Sequence, residues 1–427
     1  MSTFLGVNPR VPNLLITFSV ASPAILLSFL TAGTYGAPSG FKSLRLWSSG
    51  PTSFAVSRPQ ATPSPSPAPV IMEFLDAAYS VEENSGSVLI TVVRAGDASV
   101  SASVQYSTQD ITASHLSDYN LEWGTVRFAA GETSKRFAVF ITDDGYVENS
   151  ETVALKLTNP TGGTPFLGSQ SDAVLTIVEN DTVQAATNII DNERFFVRQQ
   201  YVDFLNREPD DGGLDYWSAQ IAQCGADSNC LSRRRADVSA AFFVEQEFQE
   251  AGYFVYRLHL ASTGHQPAYP QYIRGRTQVI GGPDLVASQM AYAQELVNPA
   301  YSGLSNEGYV DQLFTNASIT PSPTERAALI GGLSATPPTE TRASVLIKIA
   351  NHNTLVQREY NAAFVLAQYF NYLQRDPDLA GYDFWLNVLN NREPNNYSGM
   401  VCAFITSDEY QRRFAPVISR TNANCGP

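Results

Sequence analysis

Between Val70 and Asp181, acidic side chains gather where short apolar runs stop. Glu82 and Glu83 close the first run, and Asp110 and Asp118 lie in the long stretch after Tyr106. Asp143, Asp144, Glu148 and Glu151 follow Ile141, and Glu179 and Asp181 end the last run. Calcium takes about 6–8 oxygen ligands, most readily carboxylates and carbonyls on flexible loops. Without a cation such a cluster repels itself. The chemistry expected here is binding of Ca²⁺.

Signals for catalysis are missing. The histidines are His115, His259, His265 and His352, and none sits in a His-Glu-x-x-His pattern. No Gly-x-Ser-x-Gly elbow, phosphate-binding loop or dinucleotide fingerprint occurs. Glu208 and Asp211 are an acid pair of a kind common on helical surfaces, and Cys224 has no histidine partner. The chain therefore reads as non-enzymatic. Cys224 and Cys230 flank a five-residue loop that closes as a disulfide in an oxidising compartment or stays as two thiols in a reducing one.

The elements that must position the acids alternate with period two. Runs near Glu73–Val81, Ser87–Arg94, Val100–Tyr106, Gly124–Phe128, Phe137–Ile141, Val153–Leu157 and Ala173–Val178 predict about seven strands, an all-β sandwich. Its loops AB, CD and EF share one end with the finish of the last strand, so four acidic stretches should converge. The formal charge of −14 divides as +4 over residues 1–69, −11 over 70–182 and −7 over 183–427. Nothing supplies the basic face that nucleic-acid phosphates require, so no nucleic-acid partner is expected. Residues 1–37 read as a signal peptide or membrane anchor, built on the apolar stretch Leu14–Gly33. Residues 38–69, rich in Pro and Ser, read as an extended tether.

Residues 70–182 resemble a Calx-beta domain. The matching pieces are Tyr79-Ser-Val-Glu-Glu-Asn-Ser-Gly-Ser-Val88, Ser117-Asp-Tyr119, Gly124-Thr-Val-Arg-Phe-Ala-Ala-Gly-Glu-Thr-Ser134, Asp143-Asp-Gly-Tyr-Val-Glu-Asn-Ser-Glu151 and Leu157-Thr-Asn-Pro160. The resemblance implies an immunoglobulin-like sandwich with calcium at its distal loops. It carries the ligand role to Glu83, Asp118, Asp143, Asp144, Glu148 and Glu151. Glu179 and Asp181 join them by position, although the chain reads Glu179-Asn180-Asp181 where the family carries an Asp run. Glu82, Asp97, Glu122, Glu132 and Asp172 read as ordinary surface charges.

After a linker at 183–192 the periodicity becomes helical. Phe196–Trp217 recurs as Phe364–Trp385 with 11 of 22 positions identical and no gap. This internal duplication pairs Arg207 with Arg375, Pro209 with Pro377, Asp210 with Asp378, Gly213 with Gly381 and Trp217 with Trp385. The expectation is a helix over Glu193–Leu205 or Tyr360–Leu373 and an Asp cap on the next helix. Gly213 and Gly381 are expected to supply a tight turn, and Arg–carboxylate braces to complete the unit. Asp376-x-Asp378-x-x-Gly381-x-Asp383 has half the look of a calcium loop, but its twelfth position is Asn387 rather than a bidentate Glu. Residues 193–415 are similar to the bacterial domain of unknown function 4214, an all-helical family of exported multidomain proteins. Residues 416–427 form a tail.

The chain is thus expected to be multidomain, an all-β immunoglobulin-like sandwich followed by an all-α helical repeat. Its function would be that of an exported surface or extracellular protein acting in adhesion, cell communication or protein interaction, with a protein or surface glycan as partner. Membrane or cell-envelope association would run through the N-terminus. The competing readings are a carbohydrate-active or other catalytic helical domain with an appended calcium-dependent module, and a structural linker of a cell-envelope assembly.

Overall fold

The computed structural model describes residues 68–282 and 284–425. The expected leader, and the tether up to residue 67, lie outside the described residues. The first layer pair is built from β1 (Val70–Phe74), β2 (Ala78–Glu82), β3 (Ser87–Gly96), β4 (Ala102–Asp110), β5 (Trp123–Phe128), β6 (Ser134–Phe140), β7 (Glu151–Thr161), β8 (Pro165–Leu167) and β9 (Asp172–Val178). One sheet has the order β6-β3-β1-β8 and the other β2-β9-β7-β4-β5. Alternate residues such as Ile90, Val92, Val104, Val126, Val139, Leu155 and Leu175 point between the sheets and are buried. Tyr106 of β4 stacks on Phe137 of β6 across the two sheets, with ring centroids 3.7 Å apart.

The sandwich is as expected, with two differences: a short extra strand, β8, pairs with β1, and the first run is divided. The run Glu73–Val81 is two strands. β1 pairs with β3, and after Leu75–Ala77 the chain crosses to the other sheet, where β2 pairs with β9. Phe74 and Val81 are both buried, yet an odd spacing would put them on opposite faces of one continuous strand. Switching sheets lets both face the shared core.

Fifteen α-helices follow among the described residues: α1 (Glu193–Leu205), α2 (Asp211–Ala222), α3 (Ser228–Val244), α4 (Gln246–Glu250), α5 (Gly252–Thr263), α6 (Tyr269–Ile280), α7 (Leu285–Glu295), α8 (Asn306–Asn316), α9 (Pro323–Ser334), α10 (Arg342–Ala350), α11 (Asn353–Arg358), α12 (Tyr360–Tyr372), α13 (Leu379–Asn387), α14 (Tyr397–Ile405) and α15 (Asp408–Gln411). The duplicated signature makes the same contacts twice. Asp210 accepts from Gly213 N at 2.9 Å and Asp378 from Gly381 N at 2.8 Å, capping α2 and α13. Arg207 grips Glu247 with two bonds of 2.8 Å, and Arg375 grips Glu409 at 2.5 and 2.9 Å. Trp217 packs on Phe242 and Trp385 on Phe404.

The glycines have a different reason from the expected turn. A Cβ on Gly213 would stand 2.2 Å from the Tyr201 hydroxyl, and one on Gly381 2.4 Å from that of Tyr369. The first turn of each second helix must lie against a tyrosine of the helix before it. The Asp376 segment is likewise structural, since Asp376 accepts from Tyr269 N at 2.8 Å.

Two disulfides close the helical half, Cys224–Cys230 and Cys402–Cys425. The second was not read from spacing, because 22 residues separate its cysteines. Residues 183–192 are packed rather than free. Asn188 is buried and donates to Gln411 O and Val417 O, both at 2.9 Å. No described helix is long and apolar enough to cross a membrane.

Candidate metal centre

Four segments bring the acids together: the turn after β2, the β4–β5 loop, the β6–β7 loop and the end of β9. Oxygen atoms of Glu83, Glu179 and Asp181 lie within 4.8 Å of one another, and so do those of Asp118, Glu148 and Glu151. A shared recess lined by Glu83, Asp118, Glu148, Glu151 and Glu179 joins the two triads. Asp143 and Asp144 flank them and belong to neither. The Asp144 carboxylate accepts from Tyr146 N at 2.8 Å, while its backbone N donates to Glu83 Oε1 at 3.0 Å.

Backbone donors hold the carboxylates in place. Glu179 accepts from Glu148 N at 3.0 Å and from Asp181 N at 2.5 Å, tying the β6–β7 loop to the end of β9. Asp118 accepts from Ser114 N at 2.7 Å within its own loop. Asp110, in the same loop, is engaged elsewhere: it accepts from the Tyr119 hydroxyl at 2.6 Å and pairs with His115 at 2.9 Å.

Electrostatics show what this crowding costs. Burial pushes the Glu83 carboxyl up to about 8, and the charges of Glu179, Asp143 and Asp181 add to it. Burial also raises Asp144 to about 9, with Glu83, Glu148 and Asp118 contributing. Glu151 rises to about 8, through burial and then the neighbouring Asp118. Asp143, Glu148 and Asp181 are raised too, each first by burial and then by like charges. Three oxygens here are buried without a hydrogen-bond partner: Glu83 Oε2, Asp181 Oδ2 and Asn180 Oδ1. Hard oxygen donors, mutual repulsion and orphaned atoms together fit a divalent cation such as Ca²⁺. The amide at Asn180 keeps an oxygen in the place of a carboxylate.

The helical half reaches this end of the sandwich. Gly145, between the acids of the β6–β7 loop, donates to Phe414 O at 2.9 Å, and its carbonyl accepts from Ala185 N at 3.0 Å and Gln184 Nε2 at 2.5 Å. The Tyr146 hydroxyl donates to Arg412 O at 3.1 Å. Arg198 of α1 donates to Gly86 O at 2.7 Å beside Glu83, and braces itself on Glu208. Its charge also opposes the rise at Asp143. Arg198 was missed in the sequence. The available signal is that the duplicate carries Leu366 at the matching position, so the cation is not part of the repeat's own packing.

Among the acids read as surface charges, Glu82 and Asp172 are exposed, and Asp97 and Glu132 are half-buried. Glu122 is different, at 1% exposure. It lies where β5 meets α6, with Asn206 donating at 3.5 Å, and burial pushes it up to about 8 against the opposing charge of Arg276. The sandwich alone would leave this position at its surface. The helices cover it.

Comparison with known proteins accords with both halves. Residues 67–181 match the Calx-beta domain, and residues 176–251 and 338–414 match the Domain of unknown function (DUF4214). The chain is 40% identical over 95 residues to the sodium/calcium exchanger Calx of Drosophila melanogaster, which covers 22% of this chain and 10% of the exchanger. It is 34% identical over 125 residues to sodium/calcium exchanger 1 of Mus musculus, covering 25% and 13%. The solved apo-form Calx CBD1 domain is 37% identical, covers 26% of this chain and 98% of that one, and has a TM-score of 0.26. The chain thus spans about a tenth of the length of these exchangers. It carries a Calx-beta domain, homologous to a segment of sodium/calcium exchangers, followed by a helical region that matches DUF4214 in two stretches.

Proposed function

We propose that the sandwich is a Ca²⁺-binding module, non-enzymatic, in an exported surface or extracellular protein that acts in adhesion, cell communication or protein interaction. Glu83, Glu179 and Asp181 would hold one cation and Asp118, Glu148 and Glu151 a second, with Asp143 and Asp144 in the surrounding loop. The observation that carries the reading is the pair of carboxylate triads with buried, unpartnered oxygens at Glu83 and Asp181. The Calx-beta match and the homology to exchanger segments support it. Two disulfides support an oxidising destination.

The test is a thermal melt and a calorimetric Ca²⁺ titration of the full chain. Calcium at a hundredfold excess over Kd stabilises by about 2.7 kcal/mol for one site. The expected result is a higher Tm in millimolar Ca²⁺ and loss of that rise in the double variant Asp118→Ala, Glu179→Ala, which takes one carboxylate from each triad. An identical melt with and without Ca²⁺ sinks the metal reading.

A further inference from the structure

A second feature lies away from the acidic loops, on the open side of the sandwich. A cavity of about 560 Å³ runs along β6 and β5 and is bounded beyond them by α6, the segment after it and α7. β6 lines it with the consecutive residues Lys135, Arg136, Phe137 and Ala138. A sheet face offers every second residue, whereas a strand edge offers each one. The cavity therefore borders an edge, and β6 is the last strand of its sheet.

The register fixes which backbone groups point there. Lys135 stands opposite Val92 of β3, and Phe137 opposite Ile90. At the two ends of this ladder Arg94 N donates to Thr133 O at 2.9 Å and Ile141 N to Gly86 O at 2.8 Å. In an antiparallel pair, residues bonded to the partner alternate with residues whose N–H and C=O point away from it. The odd-numbered residues of β6 thus bond to β3, and Arg136 and Ala138 turn their N–H and C=O to the free edge. Neither backbone finds a partner from another element among the described residues. The facing edge of β5 is covered instead. Gln278 of α6 donates to Thr125 Oγ1 at 2.7 Å, and the Arg274 guanidinium lies 5.5 Å from the centre of the Trp123 ring.

The two faces beside the free edge differ in chemistry. On the inner face Phe137 stacks on Tyr106, and Val126 and Ile280 continue an apolar floor. On the outer face Arg136 is exposed and has no ion pair among the described residues. The other cations of the rim are engaged, Lys135 with Glu132 at 2.7 Å and Arg127 with Glu295 at 3.0 Å. The acids of the wall are occupied too. Asp284 caps α7 by accepting from Ala287 N at 2.7 Å, and Glu122 is buried within the field of Arg276.

We infer that the edge of β6 takes up a strand from a protein partner, an extended segment in which apolar residues alternate with acidic ones. Its backbone would pair with Arg136 and Ala138. Its apolar side chains would fall on the inner face beside Phe137, and an acidic one on the outer face opposite Arg136, where an opposite charge is favoured across strands. Strand addition draws affinity from main-chain bonds and selectivity from alternate side chains. Basic residues also guard many free edges against pairing. A guard stands over an edge open to solvent, whereas this edge borders a recess with an apolar floor. The inference rests on the protein-interaction part of the proposed function and gives it a surface; it does not depend on the cation.

The experiment is fluorescence anisotropy on the full chain with a labelled, end-blocked peptide alternating Val with Glu. Control peptides carry Lys in place of Glu, or N-methyl groups on alternate amides. Two variants accompany it, both checked for an unchanged thermal melt. Arg136→Glu reverses the exposed charge, and Ala138→Pro removes an edge N–H at a position of the kind where strands tolerate proline. The expected result is saturable binding of the Val–Glu peptide, lost on N-methylation and weakened about tenfold by either variant, with Arg136→Glu turning the preference to the Lys peptide. No binding of the Val–Glu peptide to the folded chain overturns the inference, and so does binding that both variants leave unchanged. Running each titration with and without Ca²⁺ separates the two readings, since a failed metal site leaves binding at this edge in place.

Discussion

Replacing Glu122 by Gln should stabilise the protein at neutral and alkaline pH and leave it unchanged in acid. The carboxyl is 1% exposed at the contact of β5 with α6. Burial raises it to about 8 from an ordinary 4.5, even with Arg276 opposing the shift. The folded state therefore binds a proton more tightly than the unfolded state does. Stability from this group is fully present below about pH 4.5 and is lost as pH rises towards 8. Each pH unit in that window is worth about 1.4 kcal/mol. The ceiling on the loss is thus about 3 kcal/mol at pH 7 and about 5 kcal/mol above pH 8. Gln keeps the shape and hydrogen-bonding capacity but cannot ionise, so it escapes this cost. Urea denaturation of wild type and Glu122→Gln at pH 4, 5.5, 7 and 8.5 measures the difference directly. The two should coincide at pH 4 and diverge in favour of Gln by roughly 2–3 kcal/mol at pH 7. A constant difference across that range, or a less stable Gln variant at pH 8.5, refutes the reasoning. The first outcome would mean that Glu122 ionises normally, the second that the nearby charge of Arg276 outweighs burial.

Further outcomes follow from the same geometry. His259 is buried, bonded to the Tyr292 hydroxyl at 2.7 Å, and lowered to about 4 by burial and then by Arg274. Its contribution is present above about pH 6.5 and is lost as pH falls towards 4, up to about 3 kcal/mol; His259→Gln should flatten that limb of the stability–pH curve. Asp203 and Arg413 form a buried pair at 3.2 Å, and Gln199 donates to the same carboxylate at 2.8 Å. Asp203→Ala strands a buried guanidinium and should cost about 3–5 kcal/mol in a denaturation titration, with partial recovery in Asp203→Leu, Arg413→Met. Cys402→Ser opens a loop spanning 23 positions in sequence, for which chain entropy assigns about 3 kcal/mol; a lower Tm in the variant than in wild type without reductant checks it.

The fold was legible because its two halves have different periods. Strand alternation placed the sheets, and the gapless duplication placed α1 with α12 and α2 with α13. Sheet switching between Phe74 and Val81 was hidden because each half of that run alternates normally on its own. The acidic stretches were visible as runs, and loop placement brought them to one end. Their division into two triads was not, since Asp143 and Asp144 look equivalent to Glu148 and Glu151 in sequence. What separates them is a backbone donor, Tyr146 N, that turns Asp144 towards its own loop. Glu122 and Arg198 show the harder limit. Each is ordinary within its own domain and acquires its environment from the other one, which no local pattern reports.

That dependence bears on how a cation at the acidic loops would be felt. Asp143 and Asp144 immediately precede Gly145, whose N–H and C=O bond to Phe414 and to Ala185. Glu83 lies three residues before Gly86, whose carbonyl receives Arg198 from α1. Gly86 has φ +79°, and a Cβ there would stand 2.9 Å from the Arg198 guanidinium, so this approach is available only to glycine. The segments that carry the carboxylates are therefore the same segments that dock the helices. Any force that draws Glu83 and the β6–β7 loop together acts on both docking points at once. Repulsion among unneutralised carboxylates pushes the same points apart. Neutralising the cluster should thus strengthen the contact of sandwich with helices as well as the sandwich itself. Hydrogen exchange at Gly145 and Ala185, whose amides are both bonded across this contact, should slow with Ca²⁺ at least as much as exchange in the sandwich core.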